Sequence, residues 1–141
     1  MFITAMAMTV VSTVFYHLIQ KLTPGQAHPF LSLVFSYTVA LVVCLVLLPF
    51  FPLPTKLSDS IRQLNWTTIA LGFAIVGIEL GYLLAYRAGW RIGEMSLVST
   101  LFVVLVLLPI GLMFFKEKLS SVNIAGIVIC IIGLVMVNWK R

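Results

Sequence analysis

The stretch WTTIALGFAIVGIELGYLLAYRA, residues 66–88, decides the fold. It holds only two charged residues, Glu79 and Arg87, and its apolar residues run on without strand-like alternation. As a helix rising 1.5 Å per residue it reaches about 35 Å, enough to cross a hydrocarbon layer of roughly 30 Å. Four further stretches read the same way: residues 2–19, 29–51, 95–115 and 122–139. Five spans account for most of the 141 residues. The expected fold is an all-α membrane protein with five transmembrane helices in a single domain, residues 1–141.

Composition agrees. The chain is 62% hydrophobic and 9% charged, whereas soluble domains are about a quarter charged. A soluble chain this short has too much surface for its volume to hide so much apolar material. An ordinary soluble enzyme, a disordered protein and a disulfide scaffold are therefore excluded. The first span is read as a permanent helix, since no Lys or Arg precedes it and Gln20-Lys21-Leu22 offers no small-residue cleavage site.

Helix breakers mark the connections. Thr23-Pro24-Gly25 turns the chain after the first span, and Pro52 and Pro54 end the second. Between Lys56 and Asn65, Leu57, Ile61 and Leu64 follow helical spacing, which predicts a short helix in the headgroup layer. Ser120 or Ser121 is expected to cap the fifth helix. Trp66, Trp90 and Trp139 stand at span ends, where indoles favour the interface.

Basic residues usually set orientation by crowding the cytoplasmic loops. Here Lys56, Arg62, Lys116 and Lys118 fall on one side and Lys21, Arg87, Arg91, Lys140 and Arg141 on the other. Four against five chooses no face, and the amino group of Met1 removes the difference. Either insertion is fixed by something the charges do not record, or copies insert both ways and pair antiparallel.

Phe114-Phe115-Lys116-Glu117-Lys118-Leu119-Ser120, followed by Gly126 and Gly133, is similar to a known loop-and-last-helix motif. Leu80, Leu83, Ala85, Gly89, Ser96 and Ser99 match that family's third-to-fourth helix junction, and Lys21 and Pro29 also fit. With these features the chain resembles the drug/metabolite transporter superfamily, as one EamA-type repeat. The family often has a proline early in its fourth helix, whereas Pro109 lies in the second half here. Full-length relatives look like two inverted five-helix repeats around a central cavity. The resemblance thus implies that a single repeat finds its other half by forming a homodimer, and that it carries a small-molecule solute.

Glu79 lies about two residues past the centre of the third span, roughly 3 Å from the midplane. An acidic residue there costs about 2.5–3.5 kcal/mol to insert and generally marks a cavity or pathway. Tyr82 and Tyr86 follow it at i+3 and i+7. The group is read as a proton or substrate site, against the alternative of a protonated carboxyl acting only as interhelical glue. Thr9, Thr13 and Tyr16 form a polar stripe on the first span, flanked by Ser12, Gln20 and His17, and make one candidate cavity wall. Ser32, Ser36, Tyr37 and Thr38 offer a second.

Gly77, Gly81, Ala85 and Gly89 make a ridge of small residues on the third span, and Gly126, Cys130 and Gly133 another on the fifth. Both are read as helix-packing surfaces, within the repeat or between copies. Pro109 is a hinge candidate. Cys44 and Cys130 are too deep in spans to suggest a disulfide, and His17 and His28 suggest no metal site.

No cofactor, nucleic-acid partner or enzymatic activity is expected. The expectation is a multi-pass protein of a cell inner membrane, in contact with lipid, that moves a small organic solute by alternating access. The alternatives are a component of a lipid-linked sugar flippase and a membrane assembly subunit that transports nothing. Reporter fusions at the C-terminus are expected to mark both faces of the membrane; signal from one face alone rejects dual topology.

Overall fold

A computed structural model describes residues 1–51, 56–114 and 120–138. All regular elements among them are helical: α1 (Phe2–Leu22), α2 (Pro29–Leu47, extended by a 3-10 turn, Leu48–Phe50), α3 (Leu57–Arg62), α4 (Trp66–Arg87), α5 (Ile92–Phe114) and α6 (Ser121–Asn138). Four apolar helices are long enough to cross a membrane: Phe2–Leu22, Pro29–Phe50, Trp66–Arg87 and Ile92–Phe114. The fifth expected span corresponds to α6, whose apolar stretch is shorter, Val122–Gly133. Its expected end at Trp139, the basic Lys140 and Arg141, the expected stops at Pro52 and Pro54, and the loop motif from Phe115 to Leu119 lie outside the described residues.

The helix boundaries have local causes. Pro29 opens α2 in its first turn, where a missing N–H costs nothing. The Asn65 side chain accepts from the Thr67 N–H at 2.9 Å and so starts α4. Ser120 Oγ accepts from the Asn123 N–H at 3.3 Å, which makes Ser120 the cap of α6. Residues Leu57–Arg62 form the short helix expected before α4. Pro109 lies inside α5, which continues past it to Phe114.

The chain divides into two compact units, Met1–Ala88 and Gly89–Arg141. In the first, α4 packs against both α1 and α2. Leu33, Leu83, Tyr86 and His17 are buried there, and Leu83 is the most enclosed side chain at 2% exposure. In the second, α5 packs on α6. Large apolar residues elsewhere stand outward, among them Ile3, Phe35, Phe73 and Phe102. Such a surface is stable only in lipid, where an outward Leu or Phe loses nothing relative to an inward one.

The two glycine ridges do not pack inside these units. A Cβ added at Gly77, Gly81, Gly126 or Gly133 would meet no atom within 4 Å. Gly89 differs from the others. Its φ of +96° is left-handed, and it follows Ala88, the C-cap of α4, as a helix-terminating glycine. Gly89→Ala is expected to destabilise the protein by about 1–2 kcal/mol, the cost of forcing an L-residue into that region. Gly93→Ala, in the first turn of α5, should be neutral or mildly stabilising. Thermal unfolding of both variants in micelles checks the contrast.

Candidate functional site

The site is built where α1 and α2 meet the two sides of α4. On the α1 side, the His17 Nδ1 lies 2.8 Å from the Tyr86 hydroxyl in a buried hydrogen bond. His17 packs edge-on to Tyr82 with ring centroids 4.7 Å apart, and Tyr16 packs edge-on to Tyr82 at 5.7 Å. Tyr82 in turn stacks on Tyr86 at 6.2 Å. One turn beyond Tyr16, Gln20 Nε2 donates to the Tyr16 hydroxyl at 3.3 Å and reaches the Glu79 backbone carbonyl at 3.5 Å. Tyr16 is thereby held from its own helix and from α4.

Two cations close this end of the unit. Lys21 Nζ donates to the Tyr86 carbonyl at 3.3 Å and lies 5.7 Å from the centroid of the Tyr86 ring. It thus satisfies a carbonyl in the last turn of α4, where the helix dipole favours positive charge. Arg87 Nη2 donates to the Pro24 carbonyl at 3.3 Å, which ties α4 to the loop after α1.

Glu79 stands where two hollows meet. The first is a cleft of about 200 Å³ lined by Tyr16, Gln20, Ser32, Ser36, Leu83 and Glu79, among others. The second is a groove of about 580 Å³ along α2 and α4, lined by Tyr37, Ala40, Phe73, Val76 and others, which shares Ser36 and Glu79 with the cleft. The cleft carries hydroxyl, amide and carboxyl groups among apolar side chains; the groove is almost wholly hydrocarbon. Tyr16 shares the cleft with Glu79, and Tyr37 shares the groove with it. Glu79 has no ion pair among the described residues; the salt bridge found there joins Arg91 to Glu94 at 3.4 Å, in the second unit.

The structure redistributes the residues expected to share a face. Glu79 lines the cleft, Tyr82 lines a separate lateral hollow with Ser12, Thr13, Tyr16 and His17, and Tyr86 is buried against His17. The physical reason is that α1 packs on α4, so its rings insert between positions that helical spacing alone places together. The polar stripe on α1 is also divided. Thr9 and Thr13 satisfy their hydroxyls on the Ala5 and Thr9 carbonyls, at 3.0 and 2.8 Å. Tyr16 joins the cleft, Thr13 faces the lateral hollow, and Thr9 lines neither.

On α2, Ser32 and Ser36 line the cleft, Tyr37 lines the groove, and Thr38 turns back to the Val34 carbonyl at 2.8 Å. Gly126 and Gly133 line a groove of about 710 Å³ on the α5–α6 pair. The residue that sequence reasoning undervalued is His17. It is the buried polar side chain among the described residues, and it locks α1 to α4. The available signal was an ionisable ring inside an apolar span, one residue after Tyr16.

In the first unit a mid-span carboxyl thus lies where the cleft and the groove meet. The sequence profile of the EamA-like transporter family matches residues 1–139, so the chain belongs to that family of membrane transporters. Two UPF0324 membrane proteins, from Listeria monocytogenes serotype 4b (strain F2365) and Listeria innocua serovar 6a (strain ATCC BAA-680 / CLIP 11262), are each 24% identical to it over 103 residues. Each match covers 72% of this chain and 31% of the relative, so the chain spans about a third of the length of the curated relatives it matches. No solved structure matches significantly.

Tyr86→Phe removes the partner of a buried imidazole. It is expected to destabilise the first unit by about 0.6–2 kcal/mol, the range found for interhelical hydrogen bonds in membranes. A double-mutant cycle with His17→Leu should be clearly non-additive, as measured by unfolding in mixed micelles.

Proposed function

We propose that the protein is a secondary transporter of a cell inner membrane that moves a small organic solute by alternating access, with proton coupling through Glu79. The carrying observation is the position of that carboxyl, shared by a cleft of about 200 Å³ and a larger apolar groove and without an ion pair among the described residues. A carboxyl so placed can hold either a proton or a solute group, which is what exchange coupling requires. Tyr16 flanks it from α1, with Gln20 holding the phenol. Tyr82 and Tyr86 back the site through the His17 cluster instead of lining the cleft. Thr13 lines the lateral hollow next to Tyr16, and Thr9 lies one turn earlier on the same helix.

The working unit in this reading is a homodimer of single EamA-type repeats spanning residues 1–141, with the two copies antiparallel. Even flanking charges permit both insertions. The open ridges at Gly77 and Gly81 and at Gly126 and Gly133 leave room for a second copy to approach closely. Pro109, which removes one backbone hydrogen bond inside α5, serves as the hinge.

The test is flux in proteoliposomes with an imposed pH gradient, using a broad panel of organic solutes. Glu79→Gln should still insert and cross-link as a dimer but lose gradient-driven uptake at least tenfold. Unchanged, still pH-dependent uptake in that variant removes Glu79 from the mechanism.

A further inference from the structure

The three long helices of the first unit are not joined with equal strength. α1 is fastened to α4 by polar bonds along its last turns. His17 bonds Tyr86 at 2.8 Å, Gln20 Nε2 reaches the Glu79 carbonyl at 3.5 Å, and Lys21 Nζ reaches the Tyr86 carbonyl at 3.3 Å. The rings of Tyr16 and His17 add edge-on contacts to Tyr82. The fastening continues into the turn that follows. There the Pro24 carbonyl accepts from the Ala27 N–H at 3.1 Å and from Arg87 Nη2 at 3.3 Å. The end of α1, this turn and the end of α4 are cross-tied.

Nothing comparable holds α2. Among the described residues, the side chains of Ser32, Ser36, Tyr37 and Thr38 make no hydrogen bond to α1 or α4. Thr38 turns to its own helix, and the Tyr37 hydroxyl has no partner among the described residues. His28, the N-cap, gives no side-chain capping bond. α2 therefore meets α4 through apolar groups, with Leu33 and Leu83 buried at the tight end of the seam. Every residue of α2 beyond Tyr37 is exposed. The cleft and the groove also lie along this seam, from Ser32 to Ala40, and interrupt its packing. In lipid an apolar contact gains little over contact with acyl chains, and a void forfeits the dispersion it would have supplied. The α2–α4 seam is the one that yields first.

We infer that α1 and α4 form one rigid body and that α2 is the element that moves against it, swinging from His28 and widening or closing the seam that holds the cleft and the groove. The motion is a property of the first unit by itself, separate from the hinge at Pro109 in the second. Its use in alternating access rests on the transporter reading. The His17–Tyr86 pair then has a mechanical role: it makes α1 a fixed wall, so that one helix and not two changes place.

The experiment measures spin-label distances in the full chain in lipid nanodiscs, with both native cysteines replaced (Cys44→Ala, Cys130→Ala). Labelled chains are diluted with unlabelled ones, so each distance lies within one copy. Val11, Val42 and Leu71 are exposed and line none of the hollows described above, so cysteines there leave the site intact. Val11→Cys with Leu71→Cys reports α1 against α4 and should give one narrow distribution. Val42→Cys with Leu71→Cys reports α2 against α4 and should give a broad or double one. Adding His17→Leu and Tyr86→Phe should broaden the first distribution and leave the second unchanged, which separates loss of the tie from general loosening. A distribution for α2 as narrow as that for α1, or a broad one for α1 in the parent, overturns the inference. The same cysteine pairs, bridged by a reducible bifunctional thiol reagent, are then tested for uptake of the solute panel into proteoliposomes. Bridging α2 to α4 should cut uptake roughly tenfold and reductant should restore it, while bridging α1 to α4 should leave it unchanged. Uptake that survives the α2 bridge overturns the role given to α2 and leaves the transporter reading standing. If no solute moves in any preparation, the transporter reading falls, and the distances alone decide which helix moves.

Discussion

In hydrocarbon, apolar side chains gain little by meeting one another, so polar contacts and close packing decide how helices sit. In the first unit that decision is made mainly by the hydrogen bond between His17 and Tyr86. An imidazole and a phenol inside lipid must find partners, and each finds the other across the α1–α4 contact. With this pair closed, Tyr16, Tyr82 and Leu83 fall into fixed places around it. Gln20 then reaches the Glu79 carbonyl. The cleft wall is therefore a consequence of satisfying two polar side chains that sit outside the cleft.

The same rule accounts for the ends of the unit. Lys21 and Arg87 lie near span termini, where long cationic side chains would ordinarily extend to the headgroups. Here each instead gives a donor to a backbone carbonyl, at Tyr86 and Pro24. That arrangement ties the end of α4 to α1 and to the loop after it. The carboxyl is left to the cleft and the groove.

Fold class, helix order and most boundaries were legible from residue types. Continuous apolar runs interrupted by breakers such as Thr23-Pro24-Gly25 leave few choices, because lipid forces every backbone group into a helix or a closed barrel. Pro29 and Ser120 carried their capping roles in plain view. The site was legible only in part. Glu79 was identifiable as a costly residue at mid-span, and Ser32, Ser36 and Tyr37 as a possible wall. Glu79, Tyr82 and Tyr86 follow one helical spacing but meet different neighbours, because helical spacing describes one helix and cannot say where a neighbour inserts. His17 was hidden for the same reason: its significance depends on a partner 69 residues away.

By itself, the sequence determined that the chain lives in a membrane, that it is helical, where its helices start and stop, and that one acid lies deep within it. Those properties follow from local composition and from the cost of exposing peptide groups to hydrocarbon. Tertiary structure alone decided which hydroxyls satisfy themselves, as Thr9 and Thr13 do, and which are buried without a partner among the described residues, as Tyr37 is. The reason is physical: a polar group in lipid takes the first partner that geometry offers, and the packing of α1 and α2 on α4 sets what is offered.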